Sequence, residues 1–507
     1  MFGLFASPAR LIGIARTFAR HDALFPLERM GVAPSIVWFA KRISRREVPG
    51  RPGERLSAAL EELGPSFIKL GQALSVRPDL TGEEIADDLA KLQDRLPPFS
   101  GLVARETIEH ELAAPVEDLF ASFDDTPVAA ASIAQVHFAE THEGEKVAVK
   151  VLRPGIEARF RQDIDLFLWL ARMVERVKPA LRRLRPLEVV RTFEASVHIE
   201  MDLRLEAAAA SELRENSEND TGFRVPKIDW VLTGRRVMTL ERIEGTRIDD
   251  IATLEEAGFA PRDILRRSAE SFFNQVFRDG FFHADIHPGN MFVASDGTLC
   301  PVDFGIMGRL DRKTRNYLAD MLIGFLDRDY KRVAEVHFEA GYVPARKSVG
   351  AFTQAIRAIG EPILGKPLHE ISLAHLLAHL FQVTETFEME AQPQLLLLQK
   401  TMLVAEGVGR TLDPSVNMWA LARPMIEEWI VINRGPEARV RDMVTDTVSK
   451  LEQLPQLLGR AEAVAEALSG GQPLGSRYGD APSSGLRSNW VLYGLIAIVC
   501  ILLLANL

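Results

Sequence analysis

Residues 281–305, FFHADIHPGNMFVASDGTLCPVDFG, gather acids, imidazoles and an amide in an apolar surrounding. Two chemistries fit these residue types. His283, Asp285 and His287 alternate in HADIH as the ligands of a metal cage do, and such a cage needs neutral imidazoles and further ligands to complete its shell. Asp285, Asn290 and Asp303 equally supply the hard oxygen ligands from which a magnesium and phosphate site is built.

The rest of the chain favours the second chemistry. His375 and His379 stand i, i+4 in HLLAH but lack the glutamate of a zinc-protease helix, and the sequence has no Glu-x-x-His pair of the kind a di-iron bundle uses. Protein kinases place a catalytic Asp five residues before a metal-binding Asn, follow it with a second metal ligand in D-F-G, and end an upstream strand on a phosphate-binding lysine. Here Asp285 precedes Asn290 by five, Asp303-Phe304-Gly305 follows, and VAVK ends on Lys150. Glu206, in the helix-like EMDLRLEAAAA, is the candidate carboxylate to hold that lysine. VAVK alone also describes an ordinary buried strand with a snorkelling lysine. The four fragments in kinase order are what point to an ATP site, with Asp303 and Asn290 as magnesium ligands and Asp285 as base.

Periodicity shows the elements that must position these residues. Residues 54–118 read as helices: ERLSAALEELG and EEIADDLAKLQDRL have apolar recurrence at three and four, and Pro97 and Pro98 end the second. PVAAASIAQVHFAE and KVAVKVL alternate like two strands around the polar turn HEGEK. Long helical patterns cover about 156–178 and 187–216, RRVMTLERI reads as a strand, and helices dominate from 262 onward apart from short strands at MFV and TLCPVD. After Gly305 the segment IMGRLDRKTRNYLADMLIGFL is already helical in pattern, with no long activation loop and no A-P-E motif to seat a peptide. Strands first and helices later predict an α+β fold, with a small mixed lobe on a larger helical one.

The chain has 507 residues, 47% of them apolar, enough to build more than one core. Its net charge of -10 argues against a nucleic-acid partner, since phosphate backbones are gripped by basic faces. Cys300 and Cys500 are the only cysteines, so no disulfide framework or thiolate metal site is expected and the compartment is a reducing one. From Trp490 the uncharged run WVLYGLIAIVCILLLANL would span about 27 Å as a helix, close to a hydrocarbon core of roughly 30 Å, and reads as a membrane anchor. Arg477 and Arg487 precede it, which keeps the large part cytoplasmic. Arg10, Arg16 and Arg20, with no acid before Asp22, suit an organelle transit peptide and equally an amphipathic helix on a membrane surface. The basic stretch KPALRRLRPLEVVR, 178–191, reads as a solvated helix face or a contact to anionic lipid.

With these motifs in place, the sequence resembles the UbiB family of atypical kinase-like proteins associated with ubiquinone biosynthesis. FIKLGQALSVRPDL carries the family's KxGQ motif as Lys69, Gly71 and Gln72, the AAAS of Ala129, Ala130, Ala131 and Ser132 matches its alanine-rich loop, and Glu200 and Asp202 match its ExD motif. The resemblance implies an atypical, bilobal kinase-like fold. Its expected parts are a helical extension over 1–118, an N-lobe over 119–245, a helical C-lobe over 246–435, a helical segment and linker over 436–487, and a transmembrane helix over 488–507. It implies ATP and Mg2+ as cofactors. Alanines in place of the usual glycines restrict the nucleotide loop. His287 takes the place where many kinases have a lysine facing the γ-phosphate, His283 braces the loop, and Glu241 and Ile243 at the end of RRVMTLERI join the nucleotide-binding candidates. Lys69 is expected near the ExD acids, plugging the place where a peptide would lie.

The implied activity is ATP hydrolysis or small-molecule phosphorylation at a cell inner membrane, or a mitochondrial inner membrane, in support of polyprenyl-lipid synthesis. Membrane lipid, polyprenyl-phenol intermediates and other ubiquinone-biosynthesis enzymes are the implied partners; the oligomeric state stays open. The alternatives are a nucleotide-binding scaffold without turnover and a polyprenylphenol hydroxylase, for which the chain offers neither flavin fingerprint nor iron ligands.

Overall fold

The computed structural model describes residues 8–24, 48–75, 81–89, 92, 96–177, 186–362, 383–384, 386–389, 392–415 and 423–429. The chain divides into two compact units, 1–429 and 430–507, and all described residues belong to the first. The anchor expected at 488–507, the helix and linker at 436–487, Cys500, His375 and His379 lie outside the described residues. Among the described residues no helix is long and apolar enough to cross a membrane.

The described N-terminal region is helical: α1 (Pro8–Arg20), α2 (Pro52–Leu63), α3 (Pro65–Ser75), α4 (Glu83–Leu89), α5 (Gly101–Leu112) and α6 (Val116–Leu119). Leu56, Ala59, Leu60 and Leu63 recur at three and four along α2, and all four are buried against its helical neighbours. Burying each leucine contributes roughly 1.5–3 kcal/mol. The helix expected to run to Pro97 stops sooner: α4 ends at Leu89, and Leu92 has left it with its N–H on the Leu89 carbonyl. α1, the segment that suits a transit peptide or a membrane-surface helix, packs on the unit. Its Arg10 guanidinium grips Asp163, its Arg20 and the following His21 meet Glu62, and Ile14 and Phe18 pack on the core.

A mixed lobe follows. β1 (Ser122–Phe123) and β2 (Ala129–Ala130) both pair with β3 (Ala134–Glu140), which pairs with β4 (Lys146–Leu152). Then come helices α7 (Ile156–Val177), α8 (Pro186–Glu200) and α9 (Leu203–Asn216), and the strands β5 (Ile228–Asp229) and β6 (Val237–Glu241) that complete the antiparallel order β1-β3-β4-β6-β5. Period-two alternation along β4 turns Val147, Val149 and Val151 into a cluster with Ile108 of α5, and leaves Ala148, Lys150 and Leu152 for the opposite face. The single helix expected over 187–216 is broken at Met201-Asp202. Asp202 is extended (φ -125°, ψ 92°) and its carboxylate caps α9 by accepting from the Arg204 N–H, while the Leu203 N–H donates to the Arg235 carbonyl.

The second lobe carries β7 (Gly245–Arg247), α10 (Ile251–Glu256), α11 (Pro261–Phe273), a π-helical turn at Asn274–Asp279, β8 (Phe281–His283), a 3-10 turn at Pro288–Asn290, β9 (Met291–Ala294), β10 (Leu299–Pro301) and β11 (Met307–Arg309). β10-β9-β7 form one small sheet and β11-β8 another. The helical pattern expected straight after Gly305 is overturned here: Met307 pairs with His283, and the helix α12 (Arg312–Leu326) starts only after Asp311 caps it through the Thr314 N–H. α13 (Tyr330–Glu339), α14 (Val349–Gly360) and α15 (Pro393–Leu412) follow. A cluster around Phe352, Tyr330 and Val333 joins α12, α13 and α14.

Candidate active site

Strand β4 fixes Lys150 opposite Val136 and Met238 in register, and sends its side chain toward α9. The Lys150 ammonium lies 2.6 Å from Glu206 Oε1 and 3.5 Å from Asp303 Oδ1. Glu206 Oε1 also accepts from the Phe304 N–H at 3.3 Å, so one carboxylate ties α9 both to the strand lysine and to the D-F-G segment. Burial works against the Lys150 charge, but Asp303 and Glu206 outweigh it and raise the ammonium above its usual range. Burial pushes Asp303 the other way, yet Lys150 and the Gly305 N–H, 3.0 Å from Oδ1, hold its carboxyl down at about 2. For Glu206, burial raises the carboxyl and Lys150 opposes the rise.

His283 links the two acidic motifs. Its Nδ1 accepts from the Asp285 N–H at 3.2 Å, and its Nε2 bonds the Asp303 carbonyl. Burial lowers its pKa against the pull of Asp303 and Asp285, consistent with a neutral ring protonated at Nε2. The π-helical turn contributes Gln275, whose Oε1 accepts from the His283 N–H at 2.9 Å and whose Nε2 donates to Ser271 Oγ. Both His283 nitrogens are therefore engaged, which removes it from a HADIH cage. Among the described residues no three His, Cys, Asp or Glu side chains are placed to hold a metal.

Asn290 donates through Nδ2 to the Asp285 carbonyl at 3.2 Å and to Asp285 Oδ2 at 3.3 Å. That leaves the Asn290 amide oxygen, a hard donor with no hydrogen bond among the described residues, which with the ionised Asp303 carboxylate suits magnesium, an ion that takes few protein oxygens and completes its shell with phosphate and water. His287 is exposed and caps the 3-10 turn, its Nδ1 accepting from the Gly289 N–H at 3.1 Å.

The alanine-rich loop is a tight hairpin. Ala129 and Ala130 pair with Val136 and Gln135, the Ala131 N–H donates to the Ala134 carbonyl at 2.8 Å, and Ser132 is buried in the turn. Arg153, just past β4, closes it: Nε and Nη2 donate to the Ala131 carbonyl at 3.0 and 2.8 Å, and Nη2 reaches the Leu96 carbonyl at 3.3 Å. The Glu241 carboxylate is taken by the Arg224 guanidinium and the Lys227 N–H, and its own N–H donates to the Lys227 carbonyl at 2.8 Å, so neither group is turned toward a nucleotide; Ile243 follows, half-buried.

The KxGQ helix α3 lays Lys69 against Glu200 at 2.8 Å, at the end of α8. The second ExD acid is not its partner, because the Asp202 carboxylate forms a two-point pair with Arg204, which lowers its pKa. Gly71 sits in a close contact: a Cβ there would meet Leu92 Cδ1 at 2.4 Å and Leu60 Cδ1 at 2.8 Å, and both leucine ends would have to move. Gln72 is half-buried, and its carbonyl accepts from the Ser75 hydroxyl at 2.7 Å.

Three contributors escape a motif search: Arg153, Lys400 and Thr401. α15 brings Lys400 Nζ to 3.6 Å from Asp285 Oδ1 and the buried Thr401 Oγ1 to 3.2 Å from the Ala284 carbonyl. The one signal in the sequence is a polar QKT step inside the apolar helical run PQLLLLQKTMLV.

Comparison with known proteins agrees with this geometry. The ABC1 atypical kinase-like domain matches residues 91–337, and the UbiB helical domain matches 356–417. A probable protein kinase UbiB of Marinobacter nauticus is 44% identical over 462 residues, covering 88% of this chain and 83% of that protein. The protein of the same description in Pseudomonas aeruginosa is 43% identical over 508 residues, with 97% and 93% covered. Among solved structures, the complex of Rv3197 with erythromycin from Mycobacterium tuberculosis matches 72% of this chain and 93% of its own at 27% identity, with a TM-score of 0.51.

Proposed function

The chain belongs to the UbiB family, with an ABC1 atypical kinase-like domain and a UbiB helical domain, and on that premise we propose that it is a magnesium-ATP-dependent atypical kinase or ATPase that supports ubiquinone biosynthesis. The observation that carries this reading is Lys150 held between Glu206 and Asp303, at 2.6 and 3.5 Å. In a kinase fold that lysine must be braced by a helix carboxylate and stand beside the D-F-G aspartate for phosphates to be positioned. Asp303 and Asn290 are the residues to hold magnesium, Lys150 meets the inner phosphates, and the Ala129–Ser132 hairpin with the Glu241 to Ile243 segment borders the nucleotide. Magnesium-ATP supplies the phosphoryl group and the charge neutralisation that transfer needs. Asp285 accepts a proton from a hydroxyl or water at its carboxylate, which Asn290 orients through Oδ2.

A small-molecule or water acceptor is favoured over a peptide. Gly305 is followed by β11 and then α12, so the chain gives no long loop to seat a polypeptide, and Lys69 paired with Glu200 closes the approach from α3. The run at 490–507 is the proposed membrane anchor, and polyprenyl-phenol intermediates at an inner membrane are the proposed setting.

Phosphate release by the purified full chain, with and without vesicles and prenyl-phenol mimics, tests the reading. Asp303→Asn should abolish magnesium-dependent turnover while leaving thermal unfolding near that of the unaltered chain; undiminished hydrolysis would remove Asp303 from the site. Tight magnesium-ATP binding without turnover would make the protein a scaffold. Deleting 488–507 should release it from membranes, and full retention after a high-salt wash would place the anchor elsewhere.

A further inference from the structure

The cations of this site rest on carboxylates: Lys69 on Glu200, Lys150 on Glu206, and Lys400 near Asp285. The first two come from segments with kinase or KxGQ motifs. The third comes from the helical region beyond the kinase-like domain and stands beside the candidate base itself. We propose that Lys400 is the cation that meets the terminal phosphate of a bound triphosphate next to Asp285, in the place where the sequence offers His287. This inference rests on the nucleotide reading above and assigns one more residue to it.

Three observations carry it. Lys400 Nζ lies 3.6 Å from Asp285 Oδ1, on the carboxylate whose other oxygen is held by Asn290, so it stands at the candidate catalytic group. Thr401, the next residue, is fully buried, and its hydroxyl lies 3.2 Å from the Ala284 carbonyl and 2.8 Å from the Leu397 carbonyl. That contact fixes the register of α15 against the catalytic loop, so the lysine stem starts from a rigid point while its head, one-third exposed, can turn. His287, by contrast, is exposed, and its Nδ1 is committed to the Gly289 N–H.

A lysine is suited to this exchange. Its ammonium has three donors on a flexible stem and can pass from a carboxylate to a phosphate oxygen as a point charge. Transfer of the ammonium to phosphate would leave Asp285 without its cation at the moment a proton has to be accepted, and would add positive charge where negative charge must be stabilised.

The test is the affinity of the purified full chain for magnesium-ATP and for magnesium-ADP, measured by calorimetry alongside turnover. Lys400→Met should lower ATP affinity relative to ADP by roughly ten- to a hundredfold, the loss expected for one charge-assisted hydrogen bond, and should lower kcat. Lys400→Arg should restore part of the ratio, which a purely structural role would not require. Thermal unfolding verifies that each variant is folded, and Lys400→Gln serves as the second neutral replacement. An ATP to ADP ratio unchanged in both neutral variants would overturn the inference while leaving the nucleotide reading intact. So would a collapsed ratio in His287→Ala with Lys400→Met unaffected. Failure of the unaltered chain to bind either nucleotide would instead overturn the nucleotide reading, and the inference with it.

Discussion

Lys69 of α3 and Glu200 of α8 meet at 2.8 Å with side chains only 13% and 15% exposed, so the KxGQ helix is fastened to the ExD segment by a largely desolvated ion pair. Removing one partner takes this bond from a charge that is largely out of water. Lys69→Met and Glu200→Gln should each destabilise the fold by about 3–5 kcal/mol. The double variant should recover part of that loss because no lone charge remains. A double-mutant cycle on thermal unfolding measures the coupling; additivity within about 0.5 kcal/mol would mean that the two residues do not meet in solution.

Arg153 closes the alanine hairpin through two bonds to the Ala131 carbonyl and also sits over the Phe99 ring, 5.7 Å from its centroid. Arg153→Ala should cost about 1–3 kcal/mol, the price of leaving a carbonyl and an aromatic face without their cation. It should also raise amide hydrogen exchange at Ala131 and Ser132. Arg153→Lys, with no planar fork, should fall between. Exchange at the hairpin equal to that of the unaltered chain would show that the strands alone hold it shut.

His137 gives the fold a pH dependence of its own. Its Nδ1–H donates to the Asp124 carbonyl at 2.8 Å, and its Nε2 accepts from Gln135 Nε2 at 2.8 Å. Gln135 is fixed in that orientation because its Oε1 accepts from the Phe99 N–H. A proton on Nε2 would oppose donor to donor. Burial accordingly lowers the imidazole pKa from 6.5, with the Asp124 carbonyl opposing. A depressed folded value means that the unfolded chain binds the extra proton first as pH falls below 6.5. The stabilisation is therefore complete above 6.5 and lost as pH falls from there toward the folded value, by no more than about 1.4 kcal/mol per pH unit for one proton. Urea unfolding of His137→Gln between pH 7.5 and 5.5 should show a flatter slope. An unchanged slope would assign the effect to the other imidazoles whose pKa burial lowers, the buried His283 and the half-buried His337.

The first helix is predicted to stay in the working protein. Asp163 is 1% exposed and its carboxylate accepts from Arg10 at 2.6 and 2.7 Å. Arg10→Met should therefore destabilise the unit, by about 3 kcal/mol at most because water reaches Arg10. Arg10→Met with Asp163→Asn should be the milder change. Loss of residues 1–20 without any fall in the unfolding temperature would show that α1 contributes nothing to the fold.

The site was legible where chemistry is local in the chain. VAVK, the Asp285 to Asn290 spacing and D-F-G each lie within a few residues, and the alternation of β4 announces its strand. Illegible were features set by tertiary partners. β7, β8 and β11 have three residues each, too few to display a period of two. The apolar run through 187–216 continues across Met201-Asp202, and only Asp202 acting as a cap divides it; an aspartate before a new periodic run is the one visible sign. Lys400 and Thr401 reach the Ala284-Asp285 segment from a distant helix, and nothing in their neighbours specifies that destination. The resemblance implies Lys69 near the ExD acids, and of the two it is Glu200 that meets it, while Arg204, two residues away in sequence, claims Asp202.

The contact between Thr401 and Ala284 spans 117 residues. A ribosome adding about 5–20 residues per second needs several seconds to travel that far. During that interval the emerging polypeptide already contains Lys150, Glu206, Asp285, Asn290 and Asp303, while α15 is still unmade. The nascent chain can thus complete its first lobe before Asp285 acquires its lysine, and a product terminated near residue 340 would carry every kinase motif without the helix that supplies it.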